Sequence, residues 1–295
     1  MSPAHLPISS GAEQLSVTML NTSFGDALHQ PDTLDRLLPV NETGRLALVG
    51  FSEVTPGVRD GAVAAIESRG YKAVVPEGEG ANIDTVWAVS PGLEIDGPHP
   101  HVKNAHVLPG RIASRPGARQ KRDAGMHTVT VTTPNGHRVR ASTERLAPPI
   151  LGRRARHEHL DSMATILDEH TPVDPTIDVD VNGGDQNHAN GPEQKDTELW
   201  GSRGFTPVVE EGTSTYNPEA ASKTVKRAAR IAQALGRLRS MQFDAVYVRP
   251  GPDRELVPQA YDLAPNQIGY TTEVVPVSGT DHHAIETVLT LPSKQ

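Results

Sequence analysis

The sequence predicts an α+β protein in which two packed β-sheets carry helices on their outer faces. Short runs of aliphatic and β-branched residues recur along the chain, so predicted strands outnumber predicted helices. Each half of the chain also contains a helical pattern of its own. A chain of 295 residues can bury one large core. We therefore expect one domain of residues 15–295, preceded by a flexible segment of residues 1–14.

The N-terminal half is predicted to mix strands with two helices. The spacing of Val58, Ala62 and Ile66 is helical, and Gly70 suits the left-handed residue that ends a helix. Asp32 could cap a shorter helix that follows it. In chain order, the predicted elements are a strand at 15–20, a helix at 33–38, a strand at 46–51, a helix at 58–69 and strands at 71–75 and 83–89.

The C-terminal half is predicted to begin with a hairpin, because Pro134-Asn135-Gly136 separates two alternating runs. Leu160, Met163 and Leu167 share one face of the clearest predicted helix. In chain order, the predicted elements are hairpin strands at 127–132 and 137–142, a helix at 153–170, a strand at 176–181, a helix at 225–238 and strands at 243–248, 271–277 and 285–289. Segments 91–123 and 188–222 are rich in Pro, Gly and polar residues, which predicts long loops.

Composition excludes several classes of protein. The chain has no cysteine, so disulfide scaffolds and thiolate metal sites are excluded. The first residues have neither a basic start nor an apolar core, and no apolar run approaches the ~20 residues that span a bilayer. We therefore expect a soluble, cytoplasmic protein without a membrane partner. The sequence does not predict protein partners.

The net charge of −8 conceals three basic segments, at 111–122, 138–156 and 223–239. Such segments could hold a phosphate backbone on a protein that stays acidic overall. Solvated helix and loop faces explain each segment equally well. Within or beside the first two segments, the candidate substrate-binding residues are Arg119, Arg145, Arg153 and Arg154.

The most informative motif surrounds Asp185 and Asn187. An apolar run ends at Val181, two glycines follow, and the acid and the amide come two residues apart. Side chains two apart on a strand point the same way. A carboxylate that can take a proton from water then lies beside an amide that can hold an oxygen, as in a hydrolytic site. An Asx turn is the alternative reading of the same residues.

The residues just before this motif also match the start of an EF-hand calcium loop, with Asp178, Asp180 and Gly183 in place. The twelfth position of an EF-hand loop should be a glutamate, but in this chain it is Ala189. The flanking pattern is that of a strand, whereas EF-hand loops lie between helices. We therefore reject calcium-loop binding and expect Asp178 and Asp180 to face solvent.

Three further segments place polar residues next to predicted strands. Asn21 follows the first strand, Glu53 follows the next long one, and Asp281-His282 lies near the C-terminus. In this order, with Asp185-Gln186-Asn187 between them, the four segments resemble the endonuclease/exonuclease/phosphatase superfamily. That superfamily includes deoxyribonuclease I, apurinic endonucleases, inositol polyphosphate phosphatases and sphingomyelinases. The resemblance spans residues 15–289 and implies a four-layer αββα sandwich of two mainly antiparallel sheets.

The resemblance also implies catalytic roles. Asp185 would orient and deprotonate water, and Asn187 would hold a phosphoryl oxygen or the nucleophile. His282 would face the phosphate with Asp244 fixing its imidazole, which favours the imidazolium form.

The resemblance also implies three metal ligands, namely Glu53, Asn21 and Asp281. Their oxygen donors suit Mg²⁺ or Mn²⁺. Two of these ligands and the catalytic histidine also have ordinary alternatives: a surface acid for Glu53, a turn residue for Asn21, and a surface residue for His282.

One segment departs from the family pattern. Many members carry a histidine where this chain has residues 142–146, and that histidine helps the leaving group. Glu144, Arg145 or metal-bound water would have to take over this step. The sequence thus predicts a metal-dependent phosphoesterase, with nucleic acid favoured as substrate by the basic segments. A small phosphorylated molecule or lipid headgroup is an alternative substrate, and a catalytically weakened binding protein is the alternative from another class.

Overall fold

A computed structural model describes residues 11–22, 26–40, 45–54, 56–75, 85–97, 101–104, 124–145, 153–186, 194–211, 213–221, 226, 242, 244–258 and 263–294. The strands are β1 (Glu13–Asn21), β2 (Leu46–Ser52), β3 (Lys72–Val74), β4 (Thr85–Val89), β5 (Glu94–Ile95), β6 (His101–Asn104), β7 (Ala124–Thr132), β8 (Arg138–Arg145), β9 (Val179–Asp185), β10 (Thr206–Pro207), β11 (Asp244–Pro250), β12 (Glu255–Pro258), β13 (Gln267–Val275) and β14 (Ala284–Leu291). The helices are α1 (Pro31–Leu37), α2 (Pro56–Glu67), α3 (Arg153–His170) and α4 (Gln194–Gly201), and a short 3-10 helix, Asp26–His29, precedes α1.

The strands form two sheets. The first sheet has the order β12-β13-β14-β1-β2-β4-β3. The second has the order β10-β11-β9-β8-β7-β5, with β6 pairing with β7. The pairs β1–β2, β8–β9 and β12–β13 are parallel, and the other pairs are antiparallel. The expected mainly antiparallel sheets are confirmed.

The two sheets pack face to face through alternate residues of their central strands. Val17 and Met19 of β1 belong to the same buried cluster as Val179 and Val181 of β9, although these strands lie in different sheets. Because strand side chains alternate between faces, one row of each strand fills this space and the other row faces outward. Burial of each such Val or Met stabilises the fold by about 1.5–3 kcal/mol.

Helices cover both outer faces. Phe51 on the outer face of β2 packs with residues of α1 and α2, including Leu34 and Ile66. On the second sheet, Tyr247 of β11 packs with residues of α3 and α4, including Leu160. The layers are therefore helix, sheet, sheet, helix. The predicted α+β sandwich, with four αββα layers, is confirmed.

Several elements differ from the sequence prediction. Segment 188–222, predicted as a loop, contains α4 and β10. Trp200 at the end of α4 is fully buried, and its ring stacks on Tyr247 with the centroids 4.7 Å apart. An eight-residue helix shows too little periodicity for the sequence to reveal it. The predicted cap by Asp32 is also wrong, because Gln30 is the N-cap residue and α1 begins at Pro31. Most of the predicted helix at 225–238 lies outside the described residues.

The expectation that Asp178 and Asp180 face solvent is wrong, since they are only 8% and 6% exposed. Asp180 accepts hydrogen bonds from Arg140 and Arg249, both of which are buried. The alternation along β9 is real, but its outward row lies beneath α3 and α4. A covered outer face of a sheet can carry paired charges in place of solvated ones.

Glu13, the first residue of β1, lies two residues before the predicted start of the domain. Residues 1–10 lie outside the described part, so the flexible N-terminal segment stays a prediction. Among the described helices, each is too short or too polar to cross a lipid bilayer. The cytoplasmic location also stays a prediction.

Candidate active site

The candidate residues come together at one edge of the sandwich. β1 and the parallel β2 end side by side, with Asn21 opposite Ser52. In the second sheet, β9 ends at Asp185, which is paired with Asp244 at the start of the antiparallel β11. Parallel strands that end together and an antiparallel strand that starts there bring distant parts of the sequence to the same edge.

Polar residues occupy the last positions of the inward-facing rows. Asn21 follows Met19 in the row of β1 that faces the second sheet, and Asp185 and Asp244 end the corresponding rows of β9 and β11. Their exposed fractions are 2%, 3% and 4% for Asn21, Asp185 and Asp244. Since buried polar groups are costly unless paired, these three residues must have partners within the protein.

Two glycines let β9 reach this edge. The sequence suggested that Gly183 and Gly184 follow the strand, but both lie within it. A Cβ atom at Gly183 would lie 2.9 Å from the carbonyl oxygen of Ala245. A Cβ atom at Gly184 would overlap the carbonyl oxygen of Glu144, and Gly184 has φ +143°. The glycines allow close approach between strands immediately before Asp185.

A hydrogen bond from Asn21 to Asp185 joins the two sheets. Nδ2 of Asn21 donates to Oδ2 of Asp185 over 3.0 Å. The same Nδ2 lies 3.5 Å from Nε2 of His282. Asn21 therefore contacts two of the predicted catalytic residues, and it fixes the orientation of the Asp185 carboxylate.

His282 forms the second link between the sheets. Its Nδ1 lies 2.8 Å from Oδ2 of Asp244, and its Nε2 lies 3.8 Å from Oδ1 of Asp281. Burial lowers the pKa of His282, but the charges of Asp244, Asp185 and Asp281, with the hydrogen bond to Asp244, raise it to about 10. His282 is therefore an imidazolium at neutral pH.

A hydroxyl group holds the loop that carries His282. Oγ1 of Thr280 donates to the backbone oxygen of Asn21 over 2.7 Å. The same Oγ1 accepts a hydrogen bond from the backbone N–H of His282 at 3.2 Å. Thr280 thus joins the end of β1 to the backbone of His282 through two hydrogen bonds.

Glu53 follows β2 at the same edge and is buried, with 6% exposure. It has φ +60°, and among the described residues no other non-glycine residue has a positive φ. This conformation costs of order 1–3 kcal/mol, and such strain concentrates at functional sites. The backbone turn is stabilised by Thr22, whose N–H and Oγ1 both donate to the carbonyl oxygen of Ser52.

Asp281 has the most exposed side chain of the site, at 31%. It lies beside His282 but points to the solvent side of the edge more than the buried acids do. Glu53, Asn21 and Asp281 thus lie at or next to the same strand ends. Oxygen donors of this kind fit a hard divalent cation such as Mg²⁺ or Mn²⁺.

A second candidate for a cation is the group formed by Asp185, Asp244 and His282, whose ligand atoms lie within 4.8 Å of one another. These are residues that the sequence assigned to catalysis. Nδ1 of His282 already contacts Asp244, so a cation there would have to share or displace that contact. The contact leaves Asp244 to hold the imidazole, and the assignment of Glu53, Asn21 and Asp281 to the metal stays a prediction.

Other predicted site residues cannot be placed in the same way. Asn187 and Arg119 lie outside the described residues. Arg145 is opposite Asp185 in the register of β8 and β9, and α3 begins at Arg153, followed by Arg154. Only the backbone of these three arginines is described. Their roles in substrate binding stay predictions.

Sequence reasoning missed the segment 213–217, which contacts the site from a predicted loop. Oγ1 of Thr215 accepts a hydrogen bond from the backbone N–H of Asp244 at 3.1 Å. Tyr216 forms an isolated β-bridge with His282. No motif marks this segment, because its contribution depends on contacts distant in sequence.

Comparison with known proteins finds relatives by structure alone. No family model matches the chain, and no curated protein matches it in sequence. An endonuclease/exonuclease/phosphatase from Beutenbergia cavernae superposes with a TM-score of 0.58 and 16% identity over 95% of this chain and 72% of that one. D. rerio TDP2 complexed with a single-strand DNA product gives 0.57 and 13% identity over 94% and 98%.

A third solved structure is the inositol polyphosphate 5-phosphatase domain of SPsynaptojanin in complex with inositol (1,4)-bisphosphate and calcium ion. It gives a TM-score of 0.55 and 13% identity over 95% of this chain and 84% of that one. At these identities the likeness establishes the architecture. Together with the two-sheet topology, it shows that the chain has the endonuclease/exonuclease/phosphatase fold.

Proposed function

We propose that this protein is a divalent-metal-dependent phosphoesterase, and that its substrate is a nucleic-acid phosphodiester. The observation that carries the proposal is the meeting of two hydrogen-bonded pairs at one edge. Asn21 contacts Asp185 at 3.0 Å, and Asp244 contacts His282 at 2.8 Å. Each pair joins the two sheets, and together they bring the carboxylate of Asp185 close to the imidazolium of His282.

Asp185 is suited to receive the proton of the attacking water. Asn21 fixes the carboxylate through Oδ2, so the direction in which it accepts the proton is set before substrate binds. As the water oxygen bonds to phosphorus, its proton passes to Asp185 and the bond to the leaving oxygen breaks. Asn187, two residues on, would hold a phosphoryl oxygen.

His282 is suited to stabilise the charge that develops on phosphorus. With a pKa raised to about 10, its ring carries protons on both nitrogens at neutral pH. Nδ1–H donates to Asp244, and Nε2–H, which lies 3.8 Å from Oδ1 of Asp281, would be offered to a phosphoryl oxygen when substrate binds. Asn21 Nδ2 is also a donor, so the 3.5 Å contact with Nε2 does not compete for that proton. A fixed donor in a buried site stabilises the anionic transition state more than it would in water.

Glu53, Asn21 and Asp281 would hold the divalent cation, for which Mg²⁺ or Mn²⁺ fits the oxygen donors. When bound, the cation supplies charge neutralisation at the phosphoryl group. The buried, strained position of Glu53 at the strand ends supports this assignment, since such strain concentrates at functional sites.

Glu144 is poorly placed to protonate the leaving group. On β8 it lies on the same face as Ser142 and Arg140, and Arg140 contacts Asp180 on the helix-covered side of the sheet. Arg145 is opposite Asp185 in register and is the better candidate of the two.

Substrate class is supported by two kinds of observation. The basic segments of the sequence favour a polyanion, and TDP2 with a similar fold was solved with a single-strand DNA product. The phosphatase domain with inositol (1,4)-bisphosphate favours a small phosphorylated molecule as the second candidate. The two candidate substrates differ in their electrostatic requirement: binding of a nucleic acid requires an extended positive surface, whereas binding of a small phosphorylated molecule does not.

The test compares plasmid DNA with bis(p-nitrophenyl) phosphate, each with Mg²⁺ and with EDTA. We expect Mg²⁺-dependent cleavage that falls at least about 100-fold in Asp185→Ala and in His282→Ala, because each removes a group acting at the transition state. Asp253→Ala, an exposed acid in the turn after β11 at the other end of the strand, is the matched control. Cleavage that survives both site substitutions would overturn the mechanism.

The same assay separates the alternatives. Hydrolysis of the small phosphodiester without DNA cleavage would select a small-molecule substrate. Absence of hydrolysis of both, with retained DNA binding, would identify a binding protein and overturn the proposed activity.

A further inference from the structure

The loop that carries Asp281 and His282 is held by a residue that the mechanism above does not use. Nδ2 of Asn217 donates to the carbonyl oxygens of Val277, at 2.8 Å, and Thr280, at 2.9 Å. One carboxamide thus joins the two ends of the turn that immediately precedes Asp281. Asn217 itself is buried, with 5% exposure.

The backbone of the same residue continues this contact. The N–H of Asn217 donates to the carbonyl oxygen of Asp281 at 2.8 Å. Two residues earlier, the carbonyl oxygen of Thr215 accepts from the N–H of His283 at 2.6 Å. Segment 215–217 and segment 281–283 therefore run antiparallel beside each other, with Tyr216 opposite His282.

Segment 215–217 also contacts the other half of the catalytic pair. Oγ1 of Thr215 accepts from the backbone N–H of Asp244 at 3.1 Å. Both members of the Asp244–His282 pair are thus anchored to three consecutive residues. The distance between the carboxylate and the imidazole depends on where these residues lie.

The carboxamide of Asn217 is oriented by its own environment. Its Oδ1 accepts from the backbone N–H of Glu219 at 3.1 Å. Both ends of the amide are therefore occupied, which leaves a single orientation that can reach Val277 and Thr280. A buried side chain with three hydrogen bonds to backbone groups is rigid, and a rigid support is what a preorganised site requires.

The turn has little freedom to adopt another position. Gly279, at its centre, has φ +78°, and a Cβ atom there would lie 3.0 Å from the carbonyl oxygen of Asp26. On the side of α1, Oγ1 of Thr33 exchanges hydrogen bonds with the N–H and the carbonyl oxygen of Ser278, at 2.9 and 3.0 Å. The turn is thus held between α1 and Asn217.

We propose that Asn217 is a positioning residue of this site: by joining Val277 and Thr280 it sets the imidazole of His282 against Asp244. The inference rests on the proposed phosphoesterase function for its consequence in turnover. The positional effect on the imidazole is independent of that function. Asn217 contacts neither substrate nor cation in this role and acts through His282.

The test uses the full chain and the variants Asn217→Ala and Asn217→Ser. Asn182→Ala is the matched control, because Asn182 is also a buried asparagine, at 2% exposure, and lies on the outward row of β9. Two properties are measured for each protein. The first is the downfield proton NMR signal of the imidazole Nδ1–H, assigned by its loss in His282→Gln. The second is kcat and KM for bis(p-nitrophenyl) phosphate with Mg²⁺.

We expect Asn217→Ala to lose or broaden the imidazole signal and to lower kcat by about 10- to 100-fold, because small displacements of catalytic groups have effects of this size. KM should change little, since the substrate contacts remain. Asn217→Ser keeps one donor and should retain part of the signal and part of the turnover. Asn182→Ala should match the wild-type chain in both measurements.

The outcomes separate the two proposals. An unchanged signal and unchanged kcat in Asn217→Ala would overturn the positioning role while leaving the phosphoesterase function intact. Loss of the signal in a chain whose wild-type form hydrolyses no phosphoester would support the positioning role and overturn the function. If Asn217→Ala is unfolded at the assay temperature by circular dichroism, Asn217→Ser decides, and wild-type behaviour in that variant would overturn the inference.

Discussion

At the residue scale, the Asp244–His282 pair has two effects that reinforce each other. The carboxylate orients the ring through Nδ1, and its charge also keeps the ring protonated despite burial. A histidine buried without such a partner would be neutral, and it would then offer a phosphate one donor at most. The acids around His282 therefore determine the charge of its imidazole.

Replacing Asp244 by Asn should separate orientation from charge. The amide oxygen of Asn can still accept from Nδ1–H, but the largest of the three acidic charges that raise the pKa of His282 is gone. We expect kcat for phosphodiester hydrolysis at neutral pH to fall by about 10²- to 10⁴-fold with little change in KM. Asp253→Asn, on the exposed turn after β11, should behave as the wild-type chain does. Unchanged kcat in Asp244→Asn would show that the negative charge of Asp244 is not needed for turnover.

Glu53 allows a test that separates backbone strain from metal binding. Glycine has no penalty at φ +60°, whereas alanine keeps the strain. Without metal, we expect Glu53→Gly to be more stable than Glu53→Ala by about 1–2 kcal/mol in urea unfolding. Neither variant should show the rise in melting temperature that Mg²⁺ produces in the wild-type chain. A rise of the same size in both variants would place the metal ligand elsewhere.

At the element scale, β9 must pass close to its neighbours in order to present Asp185. Gly184→Ala would force a Cβ into the carbonyl oxygen of Glu144 on β8 at a φ that alanine rarely adopts. We expect this variant to lose at least about 2 kcal/mol of unfolding free energy. Gly61→Ala in α2 is the control, because nothing lies within 4 Å of its Cβ position. There alanine should gain about 0.5–1 kcal/mol, since it favours the helix. Equal stability of the two variants would contradict the proposed close approach.

Elements with strong local signals could be predicted from the sequence, and those that depend on their neighbours could not. The turn at Pro134-Asn135-Gly136 joins β7 and β8 as expected, and α2 lies where its spacing placed it. Asp180 carries an alternating pattern typical of a solvated face. Its burial depends on Arg249, which lies 69 residues further along the chain. Such a pairing leaves no trace in the local pattern.

The candidate site divides in the same way. Asn21, Glu53 and Asp185 could be identified because each follows an apolar run that ends at the same edge. Asn217 lies in a stretch without periodicity, and its two acceptors are backbone carbonyls about 60 residues away, for which no residue type is specific. Ligand-like side chains are thus predictable from sequence, but the groups that support them are not.

At the scale of the whole molecule, the sheets are joined at both ends. The site residues join them at one end. At the other, Asp178, just before β9, accepts hydrogen bonds from Arg254 and Lys294 at 2.9 Å, and these flank strands of the first sheet. It also accepts from the backbone N–H of Arg138 at 2.9 Å. Two polar links thus close the ends of an apolar core.

The Asp178 link should make stability depend on pH. Burial raises the pKa of Asp178, but hydrogen bonds from His137, Lys294 and the Arg138 N–H outweigh it and hold the pKa well below its usual value. A carboxylate with a lowered folded-state pKa contributes stability above its unfolded pKa, near 3.8, and this contribution is lost as pH falls further.

Asp178→Asn should therefore lower the unfolding free energy by about 1–3 kcal/mol at pH 7, the usual range for hydrogen bonds to a charged group. Urea titrations of both proteins should converge as the pH falls below about 4, since Asp178 is then increasingly protonated in the unfolded chain while it stays ionised in the folded one. A difference between the proteins that stays constant down to pH 2 would show that charge is not what Asp178 contributes.

The net charge of −8 gives the last prediction, which concerns the substrate. An acidic protein binds a polyanion only through local clusters of Lys and Arg, and each phosphate contact releases counterions. Each contact should add about −0.9 to the slope of log affinity against log salt concentration for duplex DNA. If the basic segments form the substrate surface, fluorescence anisotropy between about 50 and 200 mM KCl should show affinity falling steeply. Neutralising Arg119, Arg153 and Arg154 together should reduce the slope. A flat response in the wild-type chain, with retained hydrolysis of a small phosphodiester, would assign the site to a small phosphorylated molecule.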